Sequence, residues 1–323
     1  MKVPLYRETF GYAWRLAWQH KLLWLFGLFA AMLGQFGILE LLSNVYMASS
    51  DYALYPNWLA LPKLFHIVSF SSFGLPLAEW FWLGWVLVVL LGIALLMAFV
   101  SVVSQGALIA SAAQYDKRKT LPDVGKAWHI GVSHFWRLLF INLFRKVVLG
   151  FLAVLVGFGA LNAVVMETTH GMDLFLFFVV FIVAALIGMV VSFIAVYAAA
   201  YVVVEEYPLL DALEAAWRLF LDHWLVSLEV GLIVLFMNVL VSVVALGGMM
   251  LFMLTLFLWK IMALIATPSV LIVGLLSVSI LAGIFFLMAL GSIFTVYTTT
   301  IWTHLFMKMH KHGLISKLAH WMK

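Results

Sequence analysis

Apolar residues run through this chain in long blocks with short polar breaks. Six blocks are long enough to cross a bilayer as helices, which takes about 20 apolar residues. They are about Leu22 to Ser43, Trp80 to Ala113, Val147 to Val165, Leu174 to Val204, Leu225 to Leu246 and Val270 to Leu305. The second is longer than a bilayer requires, so it either tilts or projects past the membrane. The segment Gly247 to Pro268 is also apolar but contains Gly247, Gly248, Lys260 and Pro268. It reads as an interfacial or re-entrant helix, with a seventh crossing as the alternative.

Between the blocks lie amphipathic stretches with helical periodicity. On the first, Phe10, Ala13, Trp14, Ala17 and Trp18 share a face opposite Arg7, Arg15 and Gln19. On the second, Val124, Ala127, Trp128 and Phe135 oppose Asp123, Lys126 and His129, and Thr120 with Asp123 suggests a capping box. On the third, Leu213, Trp217, Phe220 and Trp224 form the apolar side. Pro208 suits its first turn, and Glu214 precedes Arg218 by four positions. Tryptophan beside a charged face describes a helix lying in the membrane plane.

These stretches share a pattern. Ala13-Trp14 is followed by His20, Ala127-Trp128 by His134, and Ala216-Trp217 by His223, each His six residues after its Trp and just before an apolar block. Ser101, Ser192 and Ser292 open stretches of small and hydroxyl residues near the ends of the returning blocks. Of these, Tyr197-Ala198-Ala199-Ala200 and Tyr297-Thr298-Thr299-Thr300 match best. The chain therefore reads as one transmembrane domain of three pseudo-repeated units, about 5–114, 120–205 and 207–310. Each unit is an amphipathic helix, an outward span and a return span, and a basic tail occupies 308–323.

Composition supports a membrane setting and removes several chemistries. Hydrophobic residues make up 66% and charged residues 10%, against roughly 45–50% and about 25% in soluble domains. A water-soluble fold of this composition would lack polar residues to cover its surface. There is no cysteine, which excludes disulfides and thiolate chemistry. The N-terminal stretch lacks a small-residue cleavage site, so its apolar block is expected to be a retained span. With six crossings and an inner N-terminus, every Lys and Arg except Lys63 and Lys260 falls on the cytoplasmic side, as the positive-inside rule requires. Both termini are then cytoplasmic, Asn44 to Glu79 is an outer loop, and Glu167 to Asp173 is an outer turn.

Chemistry-bearing residues are few. The candidate intramembrane polar groups are Glu40, Gln105, Asn142, Asn162, Glu229 and Asn238, with Arg145 and Lys146 near an inner boundary. Glu229 is expected to pair with Arg145 or Lys146 as a structural ion pair. Glu40 reads as an outer-boundary residue. Small-x-x-x-small pairs at Gly106/Ala110, Ala153/Gly157, Gly188/Ser192 and Ala195/Ala199 point to close helix packing. His304, His310 and His312 raise the question of a metal site, but no zinc-protease motif accompanies them. They read as headgroup-level residues, as do His20, His134 and His223 beside their tryptophans.

No nucleophile-elbow or phosphate-loop motif is present. Gly157-Phe158-Gly159 lies inside a span and is not a dinucleotide fingerprint. No catalytic residue, cofactor or metal is assigned. The basic segments suit anionic lipid headgroups and do not form a nucleic-acid tract.

The layout, and Ala216-Trp217-Arg218-Leu219-Phe220 following Glu205-Glu206-Tyr207-Pro208, resembles a group of bacterial polytopic membrane proteins. That group is typified by YciC and by the membrane domain attached to some glycerophosphodiester phosphodiesterases. The resemblance implies a multi-pass protein of the bacterial cytoplasmic membrane. It carries no enzymatic activity across, because the soluble phosphodiesterase barrel has no counterpart here. The expected function is non-enzymatic engagement of lipid or a partner by the inner-face helices. The alternative is a transporter or channel for a small or lipid-like solute, which requires Gln105, Asn142, Glu229 and Asn238 to share a cavity.

Overall fold

A computed structural model describes residues 7–34, 77–165, 171–265 and 270–312. Among these residues the fold is entirely helical. The helices are α1 (Arg7–Gln19), α2 (Leu23–Gly34), α3 (Leu77–Arg118), α4 (Val124–Ser133), α5 (Phe135–Val165), α6 (Gly171–Val204), α7 (Leu209–Asp222), α8 (Trp224–Ile265) and α9 (Val270–His312). Five are long and apolar enough to cross a membrane, over Leu87–Arg118, Phe135–Gly157, Phe175–Val204, Trp224–Thr255 and Ser277–His310. The first expected crossing is described only as far as Gly34. Its outer half, Glu40, residues 44–76 of the outer loop and residues 167–170 of the outer turn lie outside the described residues, while 77–79 and 171–173 already belong to α3 and α6.

The span surfaces require a bilayer. Leu87, Leu91 and Leu95 on α3 are each more than half exposed, as are Phe236 and Met250 on α8. Apolar area on this scale would drive aggregation in water and costs nothing in hydrocarbon.

The segment Gly247 to Ile265 corrects one expectation. It is not a separate helix: through Ile265 it continues α8, which runs 42 residues without a break, or roughly 63 Å. The two glycines do not end the helix. A side chain at Gly248 would come within 2.3 Å of the Phe286 ring on α9. The residue is small because α9 passes close by, and that packing offsets the helix-propensity cost of glycine, about 1 kcal/mol.

The chain divides into two compact units, and the division is discontinuous. One comprises Met1–Met32, Ser101–Leu138 and Phe193–Lys323, and the other Leu33–Val100 and Leu139–Ser192. The second contains the exposed apolar part of α3, most of α5 and the first part of α6. Within it, Gly188 of α6 lies against Leu149 of α5, where a Cβ would stand 3.2 Å away. Ala153, by contrast, is exposed and does not pack as its small-x-x-x-small spacing suggested.

The first unit holds α1, most of α2, α4, the start of α5, α7, α8, α9 and the terminal parts of α3 and α6. Close approach is achieved by small residues. Gly27 of α2 abuts the Ser292 backbone of α9, with 2.5 Å for an added Cβ, and Gly131 of α4 abuts the Val103 carbonyl of α3 at 2.2 Å. Gly231 of α8 abuts the Phe193 ring of α6 at 2.5 Å. The Ser292 hydroxyl donates to the Trp24 carbonyl. Phe193 also stacks on Phe220 of α7 at 5.8 Å, and Tyr197 of α6 shares a 2.7 Å hydrogen bond with Ser227 of α8. Each amphipathic helix, with the start of the helix it leads into, therefore packs on a different long helix: α1–α2 on α9, α4–α5 on α3, and α7–α8 on α6.

Candidate functional site

His134 and His223 form closely similar joints, and His20 forms a related one with two turn residues before the next helix. His20, His134 and His223 each stand where an amphipathic helix ends and the next helix begins. Their backbone N–H groups donate to Leu16, Ile130 and Leu219 at 3.2, 3.3 and 3.1 Å. Their carbonyls accept from Leu23, Leu138 and Ser227 at 3.0, 3.1 and 3.0 Å. His134 and His223 have φ, ψ of −103°, 9° and −128°, 29°, near the bridge region that bends a helix without glycine or proline.

The buried stripe of these helices differs from the expected one. Ala13, Ala127 and Ala216 are sealed at 0%, 1% and 0% exposure, while Trp14 and Trp217 are 53% and 46% exposed. On α1 the buried side is Thr9, Ala13, Leu16 and Ala17; on α4 it is Ala127 and Gly131; on α7 it is Ala212, Ala216 and Leu219. Alanine lets the helices touch. Tryptophan is too large for that seam and stands one position round the helix, at its edge. Trp14 and Trp18 stack on each other at 5.7 Å, and Trp128 stacks near Phe26 at 6.5 Å.

Two capping expectations also change. Asp123, not Thr120, precedes the first residue of α4, and it makes no side-chain cap hydrogen bond. Pro208 precedes α7 in extended conformation, with φ −63° and ψ 160°, instead of occupying its first turn. Arg218 and Glu214 pair as their spacing predicts, but both are exposed, so the pair contributes at most about 0.5 kcal/mol.

The long helices α3 and α6 end in similar ways. Lys119 and Glu206 take φ of 57° and 58°, left-handed values that cost a non-glycine residue of order 1 kcal/mol. After α6, the Tyr207 N–H reaches back to the Tyr201 carbonyl at 3.4 Å. Arg137 donates to the carbonyls of Glu206 and Tyr207 at 3.3 and 3.4 Å, which fixes this turn.

At these ends lies an open cleft of about 350 Å³. Its polar lining is Gln114, Lys117 and Arg118 from α3, Ser133 and His134 from the end of α4, and Glu206. Ala110, Ala113 and Val203 contribute apolar surface. His134 is 9% exposed, and its Nδ1 lies 2.9 Å from the Ile130 carbonyl and 3.0 Å from the Ser133 hydroxyl.

A second polar cluster joins α1, α3 and α9. His304 Nδ1 lies 3.1 Å from Asp116, and its ring stacks on Tyr12 at 4.3 Å. Tyr115 flanks Tyr12 at 5.7 Å and His20 at 5.5 Å. The Lys119 ammonium stands 5.1 Å over the Tyr12 ring, and Lys308 pairs with Glu8 at 3.6 Å. Burial first, and then the negative charge of Asp116, hold the Tyr12 phenol well above its ordinary range. His310 instead approaches Tyr201, with 3.4 Å between Nδ1 and the hydroxyl. His304 and His310 therefore serve different partners, and among the described residues no group of three metal-ligating side chains forms.

Of the expected polar positions, Gln105, Glu229 and Asn238 belong to one unit, and Asn142, Arg145 and Lys146 to the other. Asn142 is buried, Gln105 and Glu229 are partly buried, and Asn238 is exposed on α8. Sequence reasoning missed the Asp116–His304 pair and the cleft. Asp116 was legible only as a rare carboxylate among the basic residues ending α3.

Long apolar helices whose chemical variety collects at their ends define a multi-pass helical membrane protein. No family model, curated protein or solved structure matches the chain.

Proposed function

We propose that this protein is a non-enzymatic, multi-pass protein of the bacterial cytoplasmic membrane that engages anionic lipid through one face. In this reading six spans form three repeated units, both termini are cytoplasmic, and α1, α4 and α7 lie along the inner leaflet. The observation that carries it is the arrangement of the Ala-Trp pairs. The alanines anchor the helices to the bundle, and Trp14 and Trp217 stay about half exposed beside them, as residues set at headgroup level are. The basic residues collect on the same side of the predicted topology. The layout resemblance to YciC-type proteins fits this reading. A transport path through Gln105, Asn142, Glu229 and Asn238 gains no support from an exposed Asn238.

Native mass spectrometry of gently purified protein tests the proposal. Adducts enriched in anionic phospholipid relative to the host membrane are expected. A lipid-free protein under the same conditions would contradict it.

A further inference from the structure

We propose that the cleft between the ends of α3, α4 and α6 binds the phosphodiester headgroup of an anionic, hydroxyl-bearing phospholipid. This rests on the lipid-engaging reading above and gives it a site.

The first argument is position. Ala110 and Val203 line the cleft and belong to the terminal turns of two apolar spans. The cleft thus opens where hydrocarbon gives way to headgroups. Its volume of about 350 Å³ is at the lower end for a small-molecule site, roughly 300–1,000 Å³. It suits a headgroup whose acyl chains remain in the bilayer.

The second argument is charge. Lys117 and Arg118 face one carboxylate, Glu206. With His134 neutral, the lining carries one net positive charge, which a phosphodiester's single negative charge balances. The ends of α3 and α6 each add about half a negative charge here, about one together against the two cations, and Arg137 offsets part of the second through the carbonyls of Glu206 and Tyr207. A zwitterionic headgroup would leave the surplus uncompensated.

The third argument is hydrogen bonding. The Ile130 carbonyl can only accept, so His134 Nδ1 carries the proton in that bond. In the neutral form of the ring Nε2 is then an acceptor, and the Glu206 carboxylate is another. Two acceptors beside two cations match a phosphate that carries a hydroxylated substituent. Arg137, through the carbonyls of Glu206 and Tyr207, is a positioning residue for the third wall.

The test measures thermal stabilisation of detergent-purified full-length protein by added phosphatidylglycerol, phosphatidylcholine or soluble glycerophosphoglycerol. Wild type is compared with Lys117→Gln/Arg118→Gln and with Lys126→Gln, an exposed change on α4 outside the cleft. Lys117 and Arg118 are exposed, so the double variant keeps its fold. Phosphatidylglycerol is expected to stabilise wild type and the Lys126 variant alike. The double variant should need about tenfold more of it, as expected for the loss of charge-assisted contacts to phosphate. An unchanged phosphatidylglycerol response in the double variant would overturn the cleft assignment and leave the general lipid reading standing. Stabilisation by glycerophosphoglycerol equal to that by the lipid would assign the site to a soluble phosphodiester and overturn the lipid claim. No stabilisation of wild type by any lipid would overturn both.

Discussion

Tyr12 shows how single side chains are used at this end of the molecule. Its ring is shared among His304, Tyr115 and Lys119, yet its hydroxyl is buried without a hydrogen-bond partner among the described residues. An unpaired buried hydroxyl opposes folding, so Tyr12→Phe should be no less stable than wild type at neutral pH. The raised phenol pKa sets the sign at high pH. The fold favours the neutral form, so this contribution is intact below the unfolded-state pKa, near ~10. It is lost as pH rises beyond that toward the folded value. Thermal unfolding in detergent from neutral to strongly alkaline pH should show a shallower decline above about pH 10 in Tyr12→Phe than in wild type. Parallel declines would mean that burial of this phenol does not matter.

Among the elements, the amphipathic helices carry the clearest prediction. Ala216 is fully buried and Trp217 is 46% exposed, so size matters at the first position and not at the second. Ala216→Leu overfills a tight seam and should cost about 1–3 kcal/mol. Trp217→Leu should change bundle stability by less than about 0.5 kcal/mol. Denaturant unfolding of the two variants, monitored by fluorescence, checks the order, and a larger loss for Trp217→Leu would invert it.

The same helices show what a sequence reveals at this level. Periodicity located α1, α4 and α7, and the Trp-to-His spacing found the joints at His20, His134 and His223. Which neighbour in each Ala-Trp pair is buried was not legible. Periodicity puts each tryptophan on the apolar face, whereas which neighbour is sealed depends on how closely two helix axes approach. Gly247-Gly248 misled for a related reason. In isolation it resembles a break, and only the nearby Phe286 ring explains why the helix continues.

At the scale of the whole molecule, membrane character follows from the length and polarity of the blocks alone, because a bilayer imposes one dominant constraint. The candidate site does not follow in that way. The cleft draws Lys117 from α3, His134 from the end of α4 and Glu206 from the turn after α6, and nothing local links them. Asp116 and His304 meet across more than half the length of the chain. Charge asymmetry indicated which face to search, and the three-dimensional packing supplied the constellation.

That face must be the inner one if the account holds, and the absence of cysteine makes a direct measurement clean. Single cysteines at Lys126→Cys on α4, Asp222→Cys at the end of α7 and Thr168→Cys in the predicted outer turn can be probed with a membrane-impermeant thiol reagent on intact cells. The account predicts that Thr168→Cys is labelled at once, and that Lys126→Cys and Asp222→Cys are labelled only after permeabilisation. Labelling of Lys126→Cys and Asp222→Cys from outside would put the basic face and its cleft on the wrong side of the membrane and contradict the account.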